Sequence, residues 1–444
     1  MMRASRYNIA VGNGSETLLF NTATGAFTAL DEAATQVYHM LEENGIDWRD
    51  STKAQPLVER LVADGFLTEA SPEEELVALQ ARFEAARHDL SALTLVLAPT
   101  YACNYRCPYC YEQGIPAIKG TMREDVMDAI LRFMTDRYAQ HPFRSLSVQW
   151  YGGDPSLALP QVEQLSERMI AFCDERDVAY DALILTNGTL IDDAAAAMLA
   201  RCRVSAALLT IDGFEETHNK RRVPADPSVN SFQRVTTAAR LFIEHGIQVS
   251  AIMNVDRVNW PEYHALRDEL HCTLGIDLSC GRLSDCGHFY GTRGFCKPEF
   301  ALLEPEEFAQ LEHEEFASRG FDEQTILAKL AAPPVFCGGQ RDNYYVIDCI
   351  GDVYACDGHV GNKEHVVFNL LEEPHPAPDK LQTISHNPFA DPQCRECELL
   401  PICLGNCDWE RRTDQMQCHP LKTTLPNYLR DLRRCCSRRE GSAE

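Results

Sequence analysis

Short apolar runs and amphipathic segments alternate through the middle of the chain. Between residues 93 and 285 the apolar runs are LTLVLA, LSVQWYGG, ALILTNG, SAALLTIDG, QVSAIMNVD and GIDLSC, and helical patterns separate them. Neighbouring parallel strands need crossover connections, so strands that alternate with helices predict parallel β/α units. Too little chain remains before residue 300 for eight units, and the prediction is an α/β fold with a partial (β/α)6 TIM-like barrel. Chemistry in such barrels lies at the C-terminal ends of the strands.

The segments on either side of the barrel have other patterns. The strand-like runs YNIAV and TLLFNTATGAFTAL precede two helical patterns and predict a small α+β unit at the start of the chain. The predicted divisions are this α+β unit at 1–75, a charged helical linker at 76–92, the barrel at 93–300, a helical bridge at 301–336 and a cysteine-rich domain at 337–436.

Composition narrows the class of protein. A length of 444 residues predicts two or three domains. The net charge of −25 argues against a nucleic-acid partner, because phosphate binding requires clustered Lys and Arg. No apolar run approaches the roughly 20 residues of a membrane-spanning helix, and the first residues lack the apolar region of a secretory signal. A cytoplasmic location is therefore expected.

Cysteine is unusually frequent, with 19 residues in the chain. Disulfides are rare in the cytosol, so metal binding is the favoured explanation. Cys173, Cys202 and Cys272 stand outside the clusters and are expected to be ordinary buried residues.

The stretch CNYRCPYCYEQG follows the first barrel strand and contains Cys103, Cys107 and Cys110. Tetrahedral zinc and ordinary iron–sulfur clusters take four protein ligands, so three thiolates imply one open coordination position. A zinc knuckle is the alternative interpretation of the spacing alone.

The C-x3-C-x2-C spacing, with Tyr109 before the last cysteine, resembles the radical S-adenosylmethionine (SAM) enzymes. The resemblance implies that three thiolates hold a 4Fe-4S cluster whose fourth iron binds SAM. It also implies reductive cleavage of SAM to a 5′-deoxyadenosyl radical that abstracts hydrogen, with an electron donor such as flavodoxin or ferredoxin.

Three later strand ends resemble further motifs of this family. The turn YGGDP is similar to the family's Gly-Gly-Glu-Pro turn near the SAM amino group, although Asp154 replaces the usual Glu. LTNGTL resembles the turn beside the ribose, and LTIDGFEETHNKRRV resembles the segment whose Arg binds the SAM carboxylate, with Asn219 in place of the usual Asp. The cofactor contacts implied by the resemblance are Tyr109, Gly152, Gly153, Asp154, Asn187, Asp212 and Arg222.

The tail resembles the SPASM domain, which holds two auxiliary iron–sulfur clusters in radical SAM enzymes. The resemblance assigns Cys394, Cys397, Cys403 and Cys418 to an outer cluster, and Cys337, Cys356 and Cys407 to an inner one. Cys349 is a candidate fourth ligand by proximity, but Asn343 stands where a sulfatase maturase pattern has its next cysteine. The inner cluster therefore either uses Cys349 or is open. Structural zinc held by four thiolates is the alternative for both sites.

Residues 6–70 resemble the winged-helix-like peptide-recognition element related to the pyrroloquinoline quinone biosynthesis chaperone. That element binds the leader of a ribosomal precursor peptide as an added strand at a sheet edge.

Together these resemblances imply a peptide maturase with SAM and three 4Fe-4S clusters that forms a thioether or carbon–carbon cross-link in a precursor peptide. An anaerobic sulfatase maturase, which forms formylglycine, is the nearer alternative, and a non-catalytic zinc-binding peptide chaperone is the distant one. Asp256 and Asp285, near the barrel mouth, are candidate proton acceptors between which the spacing does not choose.

Overall fold

The strands of the described chain form three sheets. The structure, a computed structural model, describes residues 2–44, 55–110, 112, 120–283, 300–320, 322–372, 387–407 and 418–440. The described strands are β1 (Arg3–Ala4), β2 (Asn8–Asn13), β3 (Glu16–Asn21), β4 (Phe27–Leu30), β5 (Leu67–Thr68), β6 (Ala92–Ala98), β7 (Ser145–Trp150), β8 (Ala179–Thr186), β9 (Val204–Thr210), β10 (Gln248–Val255), β11 (Asp277–Arg282), β12 (Tyr344–Asp348), β13 (Asp352–Tyr354) and β14 (Phe368–Asn369).

Helices connect most of these strands. The described α-helices are α1 (Glu32–Asn44), α2 (Gln55–Ala63), α3 (Pro72–Arg87), α4 (Glu124–Gln140), α5 (Leu159–Asp174), α6 (Asp193–Arg201), α7 (Glu215–Arg221), α8 (Ser231–Glu244), α9 (Tyr263–Leu274), α10 (Pro305–Ser318), α11 (Glu323–Lys329), α12 (Pro392–Arg395), α13 (Leu400–Cys403) and α14 (Leu421–Glu440). In the described residues no helix is long and apolar enough to cross a membrane.

The largest sheet contains the predicted barrel strands. Its order is β11-β10-β9-β8-β7-β6-β12-β13-β14, and β6 to β11 pair in parallel in the order of the chain. The six-unit α/β prediction is therefore confirmed. Strand β12 is not among the predicted strands, and it pairs in parallel with β6 on the other side from β7.

Burial alternates along the central strands of this sheet. On β10, Ala251, Met253 and Val255 are fully buried, whereas Ile252 and Asn254 between them are half-buried. Alternating burial means that one face of the sheet is covered and the other is more open, because successive side chains point to opposite faces. The open face is available to line a cavity.

The chain divides into two compact units, and each unit uses separate stretches of sequence. The first consists of Met1–His88, Pro305–Cys337 and Ser385–Glu444, and the second of Asp89–Glu304 and Gly338–Ile384. The predicted domain boundaries stay a prediction. In this division by contacts, the cysteine-rich segment from residue 337 onward contributes to both units.

The first unit contains the antiparallel sheet β2-β3-β4, and this sheet is covered on both faces. Leu18 and Phe20 pack against α14, whereas Leu19 between them packs with α1 and α2. The run TLLFNTATGAFTAL is a hairpin, because the Asn21 amide donates to the Ala26 carbonyl at 2.9 Å and closes a turn between β3 and β4. We call residues 2–88 of this unit, as far as they are described, the N-terminal element.

Helix α3 coincides with the predicted linker and is packed into the first unit. Ser71 caps its first turn in a capping box with Glu74. Leu76, Leu79 and Phe83 are buried in an apolar cluster to which later parts of the chain also contribute. The helix is therefore a core element of this unit.

The isolated cysteines differ in exposure. Cys173 and Cys202 are buried as expected, but Cys272 is exposed, so that expectation was wrong. The reason is its position on α9, which buries Tyr263, Leu266 and Leu270 on its other side.

We predict that Phe83→Ala lowers the free energy of unfolding by about 3 kcal/mol or more, because it leaves a cavity in the core. Val77→Ala on the same helix is the matched control, since Val77 is 56% exposed, and its effect should stay within about 0.5 kcal/mol. Urea unfolding followed by circular dichroism measures both. Equal effects of the two substitutions would contradict the packing of α3.

Candidate functional site

A cavity of about 370 Å³ lies at the C-terminal ends of the barrel strands in the second unit. This volume is in the range of small-molecule sites. Nine of its lining residues come from the cysteine loop and the strand-end motifs: Cys103, Cys107, Tyr109, Cys110, Gly152, Gly153, Asp154, Asn187 and Arg222. Asp212, the remaining residue predicted to contact a cofactor, lies behind this lining. The residues predicted at the strand ends therefore lie in or next to the wall of one cavity.

The three-cysteine loop, residues 103–110, is fixed by backbone hydrogen bonds to the segment after α7. The Arg106 amide donates to the Val223 carbonyl and the Ala225 amide donates to the Asn104 carbonyl, both at 2.7 Å. Tyr105 and Pro224 form an isolated antiparallel bridge. The loop conformation is thus set by pairing to a second segment, which presents Cys103, Cys107 and Cys110 to the cavity.

The loop thiols are shielded from water. Burial raises the pKa of Cys103 to about 11 and also raises the pKa values of Cys107 and Cys110. The direction of these shifts follows from burial, because a buried thiolate lacks solvation. Three thiols around one cavity form the donor set that an iron–sulfur cluster with an open iron requires, so the residues present fit that group.

The glycine pair after β7 is required by a close backbone approach. A Cβ on Gly153 would lie 2.5 Å from the Tyr101 carbonyl oxygen, and a Cβ on Gly152, whose φ is +101°, would lie 2.6 Å from the Thr100 oxygen. The Asp154 amide donates to the Ala102 carbonyl at 2.9 Å. Only glycine allows this turn to touch the backbone that leads into the three-cysteine loop.

Asp154 links two strand ends through a saturated carboxylate. The side chain is buried, and it accepts hydrogen bonds from the Ser156 amide at 2.9 Å, the Thr186 hydroxyl at 2.9 Å and the Asn187 amide at 2.8 Å. The Ser156 hydroxyl also donates to it. The Asp154 side chain, which is one methylene shorter than the usual Glu, therefore connects the turn after β7 to the end of β8 by hydrogen bonds.

Asn187 lies where the strand-end motif predicts and contacts the cysteine loop. Its side-chain amide donates to the side-chain oxygen Oδ1 of Asn104 at 2.7 Å and to the Cys103 sulfur at 3.9 Å. Thr189, in the same turn, donates to the Tyr105 hydroxyl at 2.6 Å. The end of β8 therefore positions the first cysteine.

Asp212, Tyr109 and Arg222 form one buried network at the cavity wall. The Tyr109 hydroxyl donates to Asp212, and the Arg222 guanidinium donates to the Tyr109 oxygen at 3.3 Å. Burial raises the pKa of Asp212, and the two neighbouring arginines oppose that rise. Arg222 also lies 5.7 Å above the Tyr105 ring and lines the cavity. The Arg222 guanidinium presents a positive charge and parallel N–H donors to the cavity, and this arrangement suits a carboxylate.

His218 is held neutral beside this network. Burial lowers its pKa to about 3, and Arg222 adds to the effect. Its Nδ1 accepts from the Asp212 amide at 3.2 Å, so the ring proton of the neutral imidazole is on Nε2.

The neighbouring arginine has a different role. Arg221 forms a buried ion pair with Asp256 at 2.8 Å, and its guanidinium lies 4.9 Å from the Phe300 ring centre. The Asp256 carboxylate is thus paired with an arginine, and its candidate role as a proton acceptor stays a prediction. Asp285, the other candidate, lies outside the described residues.

Glu112, Asn254 and Arg282 also line the cavity, and no sequence motif predicts them there. Burial, with a smaller contribution from Asp154, raises the pKa of Glu112 to about 7. Asn254 and Arg282 end β10 and β11, so the rule that barrel chemistry lies at strand ends was the available signal for both.

The four cysteines predicted for the outer cluster line one cavity of about 30 Å³ in the first unit, together with His419 and Lys422. We call Cys394, Cys397, Cys403 and Cys418 the outer site. The Lys422 ammonium donates to the Cys418 sulfur at 3.7 Å. Four thiols around one small cavity fit a group with four thiolate ligands.

The cysteines predicted for the inner cluster are distributed over both units. Cys337 and Cys407 belong to the first unit, and Cys349 and Cys356 to the second. Cys349 is buried, which raises its pKa to about 12, whereas Cys337 is exposed. The inner ligand set stays a prediction. Within the described residues, no three His, Cys, Asp or Glu side chains are gathered for a single metal ion.

Asp348 connects the approach to the three-cysteine loop with the β12–β13 hairpin. It accepts from the Tyr101 hydroxyl at 2.5 Å and from the Tyr354 hydroxyl at 3.0 Å. Tyr101 lies two residues before Cys103, and Tyr354 lies two residues before Cys356. One buried carboxylate therefore holds two cysteine-bearing segments of the second unit.

Comparison with known proteins agrees with this geometry. Residues 97–270 match the model of the radical SAM superfamily. The chain is also 22% identical over 356 residues to an uncharacterized protein of Archaeoglobus fulgidus, covering 75% of this chain and 78% of that protein.

Two solved structures have a similar fold. anSMEcpe, an anaerobic sulfatase maturase solved with bound AdoMet and a peptide, has a TM-score of 0.58 and 19% identity, covering 77% of this chain and 99% of its own. SuiB of Streptococcus suis has a TM-score of 0.50 and 17% identity, covering 91% of this chain and 95% of its own.

We predict that Gly153→Ala weakens SAM binding at least about tenfold, because its Cβ forces the turn away from the Tyr101 carbonyl. Gly12→Ala is the control, since no described heavy atom lies within 4 Å of the Cβ position there. Calorimetric titration of SAM into the iron-loaded protein measures the affinity. Unchanged affinity in Gly153→Ala would remove the proposed role of the turn.

We predict that Arg222→Ala weakens SAM binding by about 1.5 to 3 kcal/mol, the worth of a hydrogen bond to a charged group. Lys220→Ala removes a nearby exposed cation that pairs with Glu216, and it should leave the affinity unchanged. The same titration serves both variants, and an equal loss in both would show that Arg222 makes no specific contact.

Proposed function

Because residues 97–270 match the radical SAM superfamily, we propose that the chain is a maturase of ribosomally made precursor peptides. The observation that carries the proposal is the placement of Cys103, Cys107 and Cys110 on the same cavity as Arg222. A cluster ligand set and a carboxylate-binding fork are the two features that a SAM-cleaving site needs side by side.

In this proposal Cys103, Cys107 and Cys110 hold a 4Fe-4S cluster and the adjoining cavity binds SAM. When bound, this pair supplies a 5′-deoxyadenosyl radical that abstracts a hydrogen atom from the peptide. Arg222 binds the SAM carboxylate, and the glycine turn leaves its backbone accessible to the amino group. Leu185, Leu208 and Ile252 give the lining an apolar part that limits water around the reacting carbon.

The tail cysteines complete the proposed cofactor set. The outer site holds a second cluster, and Cys337, Cys356 and Cys407 hold a third, with Cys349 or an open iron in the fourth position. When bound, these auxiliary clusters would supply an electron acceptor or a site for the substrate sulfur during formation of a thioether or carbon–carbon bond. A flavodoxin or ferredoxin supplies the reducing electron.

Support for a peptide substrate comes from the first unit. Both faces of the β2-β3-β4 sheet are covered, by α14 on one side and by α1 and α2 on the other. Within the described residues, no further strand pairs with the outer edge of β2 or of β4. A leader peptide can therefore join this sheet as an added strand, which is how such edges bind peptides. A protein of similar fold has been solved with AdoMet and a peptide together.

The anaerobic sulfatase maturase is the second candidate, since anSMEcpe shares the fold with a TM-score of 0.58. Its match covers 77% of this chain, and the N-terminal element favours the leader-dependent maturase instead. Deleting residues 1–75 is a poor test of the two, because Tyr7, Leu18 and Phe20 pack with the tail. Point substitutions on the sheet edge with intact precursor peptides separate the candidates cleanly.

We predict that the anaerobically purified, iron-loaded and reduced protein converts SAM to 5′-deoxyadenosine. The variant with Cys103, Cys107 and Cys110 all changed to Ala should lose this activity and retain the tail clusters. Cys272→Ala, which removes an exposed cysteine of the same unit, should keep it. Chromatography of the nucleoside products measures the yield, and retained cleavage in the triple variant would sink the assignment.

We predict about twelve iron and twelve acid-labile sulfide atoms per chain, the content of three four-iron clusters. Metal and sulfide analysis of the same preparations measures both. Zinc without sulfide would instead support the zinc-binding chaperone.

A further inference from the structure

The N-terminal element holds the backbone of the outer site. The Arg6 guanidinium donates to the Arg395 carbonyl, and the Thr22 hydroxyl donates to the Glu398 carbonyl. Both carbonyls lie between Cys394 and Cys403, in the loop that carries three of the four outer-site cysteines. Two backbone carbonyls of this loop thus accept hydrogen bonds from side chains near the start of the chain.

Ion pairs strengthen the same contact. Arg395 pairs with both oxygens of Glu73, at 2.9 Å and 3.1 Å, and Arg6 lies 3.8 Å from Glu396. Arg6 is itself fixed, because it also donates to the Pro72 carbonyl at 2.8 Å. The start of α3 and the first strand region therefore meet at the turn between Cys394 and Cys397.

The cysteines themselves take part in the packing. Cys394 is buried in one apolar cluster with Tyr7, Leu79 and Phe83 of the N-terminal element. Cys397 packs against a second cluster that includes Leu18 and Phe20 of β3. A shift of either cysteine therefore disturbs side chains of the N-terminal element directly.

We infer that filling of the outer site and ordering of the N-terminal element are thermodynamically linked. The site holds its loop in the conformation that Arg6 and Thr22 recognise, and the N-terminal element is fully stable only when the site is filled. Peptide capture is then confined to protein that has already acquired its tail cofactor. The inference rests on the proposed function for the identity of the group that fills the site and for peptide capture, whereas the linkage itself rests on the contacts above.

The linkage follows from mass action. A group that binds the folded outer site and not the unfolded one stabilises every element that folds with it. Coupling of this kind is reciprocal, so loosening the N-terminal element must weaken retention of the metal by the same factor.

Cys418→Ser tests one direction, because it removes an outer-site ligand from outside the Cys394–Cys403 loop. We expect amide hydrogen exchange in β2, β3 and α3 of the holoprotein to become about tenfold faster. A factor of about ten in an equilibrium constant corresponds to the loss of one hydrogen bond from a charged donor. Exchange in β7 to β9 should not change. Cys103→Ser, which removes a ligand from the barrel site, is the matched control and should leave β2, β3 and α3 at the wild-type rate.

Arg6→Gln tests the reciprocal direction and does not depend on the folding of a cysteine variant. We expect a chelator to remove outer-site metal about tenfold faster from Arg6→Gln than from the wild type. Arg60→Gln is the control, because it removes an arginine of the same element that donates to Thr28 at 2.7 Å.

Unchanged exchange in Cys418→Ser, or wild-type metal release in Arg6→Gln, would overturn the linkage. Equal acceleration of exchange in Cys418→Ser and Cys103→Ser would overturn it as well, since it would show a general loss of stability. Release is followed as iron and sulfide from the outer site, so the linkage can hold even when the barrel site does not cleave SAM. Formation of 5′-deoxyadenosine depends on other cysteines and reports on the proposed function separately.

Discussion

The close approach of the turn after β7 to the backbone of Thr100–Ala102 is the constraint on which the cavity depends. The turn can lie there only because Gly152 and Gly153 have no side chains. The approach in turn allows the Asp154 amide to donate to Ala102, and the Asp154 carboxylate to accept from Thr186 and Asn187. Asn187 then reaches Cys103. The position of Cys103 thus depends on a series of contacts that is possible only because Gly152 and Gly153 lack Cβ atoms.

Charge at the cavity wall is arranged so that one arginine is neutralised and the other is available. Arg221 is paired with Asp256 behind the wall, whereas Arg222 contacts the Tyr109 hydroxyl and lines the cavity. Two adjacent residues at the C-terminal end of α7 therefore have different surroundings. The buried pair also fixes the end of β10, because Arg221 donates to the Asn254 carbonyl at 3.0 Å. An available cation at this depth is costly unless an anion arrives to meet it.

Much of the barrel and its site could be predicted from the sequence, because both depend on local signals. Apolar runs mark β6 to β11, and the cysteine spacing and strand-end turns lie within a few residues of those strands. What failed depends on long-range pairing. The run that forms β12 looks like any short strand, and only its partner β6, far earlier in the chain, reveals it as part of the same sheet. Likewise the sequence could not show that the Asp154 carboxylate accepts hydrogen bonds from Thr186 and Asn187.

The first unit joins the two ends of the described chain, and this has a consequence for biosynthesis. Glu16 and Arg433, 417 residues apart, form an ion pair at 2.7 Å, and Leu18 and Phe20 pack on α14. Contacts across such a separation form late, because a long loop must close first. While the ribosome is still making the barrel, β2 to β4 have one apolar face without its cover. The nascent chain therefore exposes an apolar sheet face for most of its synthesis. Exposed apolar surface of this kind promotes aggregation, and chaperones protect against it.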